Sequence, residues 1–247
     1  MRIGNGIEML EISTEVMGRP GTINPTLIWD NDIIILVDTG FPGQLPLIRA
    51  ETNKAGVSFE KIGKIILTHH DIDHIGSLSS IVKELGNSVK VIAHKEEKAY
   101  IQGDKVPHKL AKLEENISSL PEEMKGRYKM MKEGFQKCKT NVDQVIEDGE
   151  ELPYCGGIIT IYTPGHTIGH ICLYLKQSKT LIAGDLLFVE EGKLSMAPTA
   201  INYDNELTNK SLKRLTEYDI ETVICYHGGV YRDNVNKSIK QLANQGK

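Results

Sequence analysis

The stretch Ile65-Ile66-Leu67-Thr68-His69-His70-Asp71-Ile72-Asp73-His74-Ile75-Gly76 restricts this chain more than any other. Its three leading apolar residues read as the end of a buried strand, because β-branched runs suit a pleated layer covered on both faces. Five of the next seven residues, Thr68 to His74, are His or Asp. After them Ile75, Leu78, Val82 and Leu85 recur at the spacing of a helix with one apolar face. The polar cluster therefore falls in a strand-to-helix turn, at the carboxyl end of a strand. Two rigid elements aim several imidazoles and carboxylates at one point, which suits a divalent metal better than a solvated acidic turn.

The surrounding pattern is α/β. Residues 7–38 read as strands over 7–12, 26–29 and 33–37, with Asp30-Asn31-Asp32 as a turn, and they end in Val37-Asp38-Thr39-Gly40. A helix is predicted over 43–56, a strand over 64–67, and another over 89–93 that ends at His94. Strands resume at 158–163, 170–175, 180–183 and 222–225, with helices over 206–218 and 234–243. Two halves, each of strands followed by helices, predict two stacked sheets flanked by helices. Between them, residues 95–147 are Lys/Glu-rich and lack strand signals. Met124, Tyr128, Met131, Phe135 and Cys138 follow one another there at alternating steps of four and three, a helical stripe that needs a packing partner. The expectation is a helical cap over the polar turn, inserted into one domain spanning 1–247.

Composition narrows the function classes. A net charge of −4 and a pI near 6.1 leave no electrostatic footprint for nucleic acid. No apolar run is long enough to span a membrane. The opening Met1-Arg2-Ile3-Gly4-Asn5-Gly6 lacks the apolar core of a signal peptide. Cys138, Cys155, Cys172 and Cys225 are scattered and form no CxxC pair, which favours reduced thiols and a cytoplasmic setting. The expected partner is a small-molecule substrate; oligomeric state is left open.

Three further sites repeat the opening pattern: Thr163-Pro164-Gly165-His166-Thr167, Ala183-Gly184-Asp185, and Cys225-Tyr226-His227-Gly228-Gly229. Each puts a His or Asp just after an apolar strand and beside a glycine that permits an unusual turn. His69, Asp71, Asp73, His74, His166, Asp185 and His227 make seven candidate ligands. That is too many for one tetrahedral zinc and suits two metals sharing a carboxylate. His70 and His108 are expected at the surface, and His170 beside the site. His94 ends a strand on the same edge, a candidate for contact with substrate or with the ligands.

These residues resemble the metallo-β-lactamase superfamily, whose fold is a four-layer αββα sandwich with a metal site along one edge. The family's HxHxDH pattern is matched at His69, Asp73 and His74, and its later His, Asp and His by His166, Asp185 and His227. Val37-Asp38-Thr39-Gly40 resembles the family's DTG element, whose Asp orients the metal-binding loop. TPGHTIGHIC (163–172) and GDLLF (184–188) are similar to glyoxalase II and its relatives. One position departs: the second His of HxHxDH is Asp71, where flavodiiron proteins also carry a carboxylate. The resemblance implies a first metal on His69, Asp71 and His166, a second on Asp73, His74 and His227, and Asp185 as the bridge. It implies two divalent ions, zinc first with manganese or iron as alternatives. A hydroxide between them would be the nucleophile, with Asp73 orienting it and passing a proton on. The implied activity is hydrolysis of an ester-like bond in a thioester, lactone or related small acyl compound.

Among the family's branches, β-lactamases lack the bridging Asp. Glyoxalase II carries a helical domain after its last metal His, where only 20 residues follow His227 here. Lactonases place a Tyr three residues after the bridging Asp, where this chain has Phe188. The second reading is a di-iron redox protein of the flavodiiron type, working with a separate electron donor.

Overall fold

The structure is a computed structural model and describes residues 1–16 and 19–245. One sheet has seven strands in the order Arg2–Gly4, Ile7–Met9, Thr26–Trp29, Ile34–Val37, Ile62–Leu67, Lys90–His94 and Gln144–Ile146. Its first half is antiparallel and its second half parallel. The other sheet has six strands: Glu151–Leu152, Ile158–Tyr162, Ile171–Leu175, Thr180–Ile182, Thr222–Cys225 and Gly229–Tyr231. Its one parallel pairing joins Thr180–Ile182 to Thr222–Cys225.

The helices are α1 (Leu45–Lys54), α2 (Ile72–Ile75), α3 (Leu78–Leu85), α4 (Lys95–Gln102), α5 (His108–Glu115), α6 (Glu122–Cys138), α7 (Asn205–Arg214) and α8 (Val235–Gln245).

Alternation along the strands builds the layers. Val37, Ile66 and Ile92 join Ile171, Leu173, Ile182 and Ile224 in a core between the sheets. Their neighbours Leu36, Ile65, Leu67 and Val91 face outward, onto Ile48, Leu78 and Ile81 of α1 and α3. On the far side Leu181 and Val223 meet Leu212 of α7 and Ile239 of α8. Both faces of each sheet are covered, which is why the strands read as near-continuous apolar runs. The result is the expected αββα sandwich.

Within the expected insert 95–147, residues 95–138 hold α4, α5 and α6, but the segment also contains a strand. Gln144–Ile146 pairs in parallel with Lys90–His94 at the edge of the first sheet. Three residues are too few for a periodicity signal, so tertiary pairing alone makes that strand. The stripe on α6 also finds a different partner from the expected one. Tyr128, Phe135 and Cys138 are buried with Ile75, Leu78, Ile81 and Leu110, on the outer helical layer rather than over the ligand cluster. Apolar area is buried more favourably on an apolar helix face than on an edge of charged ligands. The start of α5 is the part that reaches the cluster, through Lys109.

Two hairpins stand outside the main sheets: Ile12–Val16 with Arg19–Ile23, and Leu187–Glu190 with Lys193–Met196. The first splits the expected strand over 7–12, since Ile7–Met9 stays in the sheet and Ile12 leaves it. The second turns on Glu191-Gly192, both at positive φ (49° and 75°), the backbone of a tight two-residue hairpin turn.

Candidate metal centre

The turn after Ile62–Leu67 is held from behind by the loop that follows Val37. Asp38 lies in the left-handed region at φ 62°, where Asp is tolerated better than most residues. Its carboxylate accepts from Thr68 N (2.8 Å), Thr68 Oγ1 (2.7 Å) and His74 Nδ1 (2.9 Å). Thr39 donates to the His74 carbonyl through N (2.7 Å) and Oγ1 (2.8 Å). Ser77 Oγ donates to the Phe41 carbonyl at 2.6 Å. Gly76 lets the loops close: a Cβ there would lie 2.3 Å from Pro42 N and 2.4 Å from Phe41 C. Asp71 occupies the N-cap position of α2 without capping it, so its carboxylate is free to face the cluster.

The structure brings all seven candidate ligands together. They fall into three groups: His69, Asp71 and His166; His69, His74 and Asp185; Asp73, His74 and His227. Asp71 Oδ2 lies 3.4 Å from His69 Nε2 and 2.9 Å from His166 Nε2. Asp73 Oδ2 lies 3.2 Å from His227 Nε2. Asp185 stands between: Oδ1 is 3.2 Å from His74 Nε2, and Oδ2 is 3.4 Å from His166 Nε2 and 3.5 Å from His227 Nε2.

The donor set fits metal. Nδ1 of His69, His74 and His166 faces Thr68 Oγ1 (3.1 Å), Asp38 Oδ2 (2.9 Å) and Asn202 Oδ1 (3.0 Å), so each Nδ1–H has an acceptor and each Nε2 is directed at the cluster. His69 Nε2, His74 Nε2 and Asp185 Oδ1 are buried without any hydrogen-bond partner. Three such atoms at one spot would be costly in a merely structural cluster. They suit a site whose partner is a cation.

The electrostatics agree. Burial pushes His74 down, but Asp185, Asp38 and Asp73 outweigh it and raise it well above the usual range. His227 is likewise lowered by burial, yet Asp185 and Asp73 lift it to about 10. Burial would raise Asp185, but His227 and His74 hold it well below the ordinary carboxylate range. Burial, then the neighbouring His74, keep His69 well below the usual value and neutral. The centre is a pool of negative charge that draws cations.

Other histidines divide by environment. His170 is buried, and burial with His166 nearby lowers it to about 3. It donates from Nδ1 to Thr163 Oγ1 (2.9 Å), and its Nε2 accepts the Asp185 N–H (3.0 Å), which fixes the bridge candidate's backbone. His70 was expected at the surface, and that is corrected: it is 2% exposed. Its Nδ1 pairs with the buried Glu97 carboxylate, and its ring stacks on Tyr100 at 4.4 Å. Glu97 Oε1 also accepts from Thr167 Oγ1 and Gly169 N, both at 2.7 Å, tying the Asp71 loop to the His166 loop. A motif that leaves position 70 free could not show a partner 27 residues away. His108 is exposed and lies over Tyr203 at 4.4 Å. His94 has its partners elsewhere: Nδ1 accepts from Glu96 N (3.3 Å), which caps α4, and the ring stacks on Tyr162 at 4.3 Å. Phe188 is half-buried, with its ring 4.9 Å from that of His227.

Besides Glu97, three contributors escaped the sequence reading. Tyr226 stacks on His74 at 3.8 Å and donates its hydroxyl to the Asp73 carbonyl. Its place beside His227 was the available signal. Asn202 and Lys109 come from distant segments, and nothing in the sequence marks them. Lys109 Nζ donates to Asp71 Oδ2 and lies 2.9 Å from His166 Nε2.

A family model described as the Metallo-beta-lactamase superfamily matches residues 18–227. The chain belongs to that superfamily. It is similar to the probable metallo-hydrolase YflN of Bacillus subtilis, 26% identical over 227 residues that cover 85% of this chain and 81% of that protein. It is also similar to a hydroxyacylglutathione hydrolase of Buchnera aphidicola, 26% identical over 159 residues, which is 62% of this chain and 46% of that protein. Among solved structures, the metallo-beta-lactamase family protein TTHA1429 from Thermus thermophilus superposes with a TM-score of 0.75 at 22% identity, covering 98% of this chain and 79% of that one. That likeness is one of fold. This metallo-beta-lactamase superfamily member is a metallo-hydrolase, and its His and Asp groups are the candidate metal-binding residues. Among the described residues no helix is long and apolar enough to cross a membrane.

Proposed function

We propose that this metallo-hydrolase works with two divalent ions and cleaves an ester-like bond in a thioester, a lactone or a related small acyl compound. His69, Asp71 and His166 would hold the first ion, and Asp73, His74 and His227 the second. Asp185 would bridge them. The observation that carries the reading is the position of Asp185, whose Oδ1 faces His74 while its Oδ2 faces His166 and His227 (3.2 to 3.5 Å). When bound, such ions supply a water of lowered pKa and a Lewis acid for the carbonyl.

The protein's own groups do the rest. Asp73 orients the attacking water and hands its proton to the departing oxygen or sulfur. The His170 ring fixes Asp185 from behind. Tyr226 holds the Asp73 backbone, and its ring fixes the plane of His74. Phe188 offers an apolar edge beside His227 where lactonases carry a Tyr, so it supplies no hydroxyl to the substrate carbonyl. Zinc is the first choice of metal. The oxygen donor of Asp71 shifts preference towards manganese or iron, and it is also what supports the second reading, a di-iron redox protein of the flavodiiron type. The dispersed thiols fit a reducing, cytoplasmic setting.

The test is elemental analysis of protein purified without added metal, followed by a panel of thioesters, lactones and phosphoesters. Two ions per chain and acyl hydrolysis support the proposal. One ion per chain at saturation ends the dinuclear reading, and a coloured iron protein inert on the whole panel favours redox. Asp185→Ala should lose metal from both groups at once, with at least a hundredfold loss of kcat/KM; retention of both ions would remove its bridging role.

A further inference from the structure

A cleft of about 400 Å³ opens beside the first ligand group. His166 forms one wall, Ile168 and Ile201 give it apolar surface, and Tyr203 stands across from α5, which contributes Lys109 and Lys112. Lys109 has a peculiar place. Its ammonium donates to Asp71 Oδ2 and lies 2.9 Å from His166 Nε2, so it uses the two atoms that a first metal ion would need. A divalent ion and an ammonium cannot both sit on those atoms, because like charges a few ångströms apart in a half-buried site repel strongly. Loading of the metal therefore displaces the ammonium.

Where it goes follows from its stem. Lys109 is anchored on α5, the side chain is about one-third exposed (32%), and the space open to it is the cleft. Lys112, three residues on and on the same helical face, lines that cleft and is exposed. Glu115 also lines it, and Asp71 is neutralised once it ligates the ion. On loading, the cleft would gain a cation freed from Asp71 and carried by the helix that walls it. A lysine in that position is a recognition element for an anion.

We propose that Lys109 is a specificity residue that binds a carboxylate on the substrate, and that the natural substrate is an acyl compound carrying such a carboxylate near its scissile bond. With that carboxylate on the acyl side, water added across the acyl bond releases a dicarboxylate and the free alcohol or thiol. The inference rests on the acyl-hydrolase reading for its reaction, but its binding test does not.

Three measurements on metal-loaded protein decide it, each made on the parent, Lys109→Met and Lys109→Arg. Metal affinity, read by competition with a chromophoric chelator, should be unchanged or tighter in Lys109→Met, because an internal competitor is gone. Calorimetric titration should show the parent binding succinate at least tenfold more tightly than acetate, the scale of one charge-assisted contact. That preference should vanish in Lys109→Met and persist in Lys109→Arg. Hydrolysis of an aryl hemisuccinate should fall at least tenfold more in Lys109→Met than hydrolysis of its neutral methyl-capped counterpart, chiefly through KM. A parent without preference for succinate, a Met variant that keeps it, or weaker metal binding in that variant each overturns the assignment. If the loaded parent cleaves neither ester, the acyl-hydrolase reading falls while the succinate titration still decides the role of Lys109.

Discussion

At the scale of single residues, the centre is a set of carboxylates looking for cations. In the metal-free protein His74 and His227 meet that demand with protons, His227 being raised to about 10 and His74 well above its usual value. On the proposed ligation metal displaces those protons, so uptake near neutral pH releases them and apparent affinity rises with pH, roughly tenfold per unit for each proton displaced. Calorimetry in buffers of different ionisation enthalpy should record a net release of at least one proton per chain at pH 7.5; no release would mean that the two histidines are already neutral. Stability of the metal-free fold runs the other way. A His raised from 6.5 to about 10 contributes fully below 6.5 and loses that contribution as pH rises through about 10. Metal-free protein should therefore unfold more easily at pH 9.5 than at pH 6.5 in this respect, and saturation with metal should remove the trend.

At the scale of elements, the ligands are as good as the loops that carry them. The Asp38–Gln44 loop grips the turn through the Thr68, His74 and Ser77 contacts, and Gly76 admits its backbone at a distance no Cβ tolerates. Gly76→Ala should cost about 1–3 kcal/mol by overpacking, and it should lower metal content because it pushes on the latch itself. Urea unfolding and elemental analysis read the two effects. The Glu97–His70 pair joins the turn to the His166 loop, and both side chains are buried. Removing one member of a buried pair leaves the other uncompensated, so Glu97→Ala should destabilise by roughly 3–5 kcal/mol, more than Glu97→Gln, which keeps an acceptor for Thr167 and Gly169. Equal losses in the two variants would show that the charge, and not the hydrogen bonds, matters at this junction.

At the scale of the whole molecule, the sandwich seals Cys138, Cys172 and Cys225, while Cys155 is half-buried in a turn. Burial raises Cys138, Cys155 and Cys172 to about 12, and Cys225 well above its usual value. At pH 8 a thiol of pKa about 12 is ionised in roughly one molecule in ten thousand, so native reactivity follows opening of the fold rather than local chemistry. Alkylation of Cys138, Cys172 and Cys225 should be slow in the native protein, fast in denaturant, and slower still with metal bound, since a ligand for the folded state suppresses opening. Rapid labelling of Cys172 or Cys225 in native protein would contradict the packing between the second sheet and α7 and α8.

The sequence by itself determined the layers and the donor types. Apolar runs such as Ile65–Leu67 and Leu181–Ile182 report two-sided burial directly, and a His or Asp after each strand end records where ligands can emerge. Strand ends on one edge converge through backbone geometry alone, so convergence was legible without distances. What only the tertiary structure decided was partnership. His70 looked surplus because Glu97 reaches it from another element, and the α6 stripe needed a partner that periodicity cannot name. Gln144–Ile146 is a strand only because Lys90–His94 offers an edge. Asn202 fixes His166, and Lys109 lies on Asp71, from segments with no local mark. Periodicity and motif spacing encode contacts close in the chain; pairings between distant segments are set by packing free energy, which a local pattern does not carry.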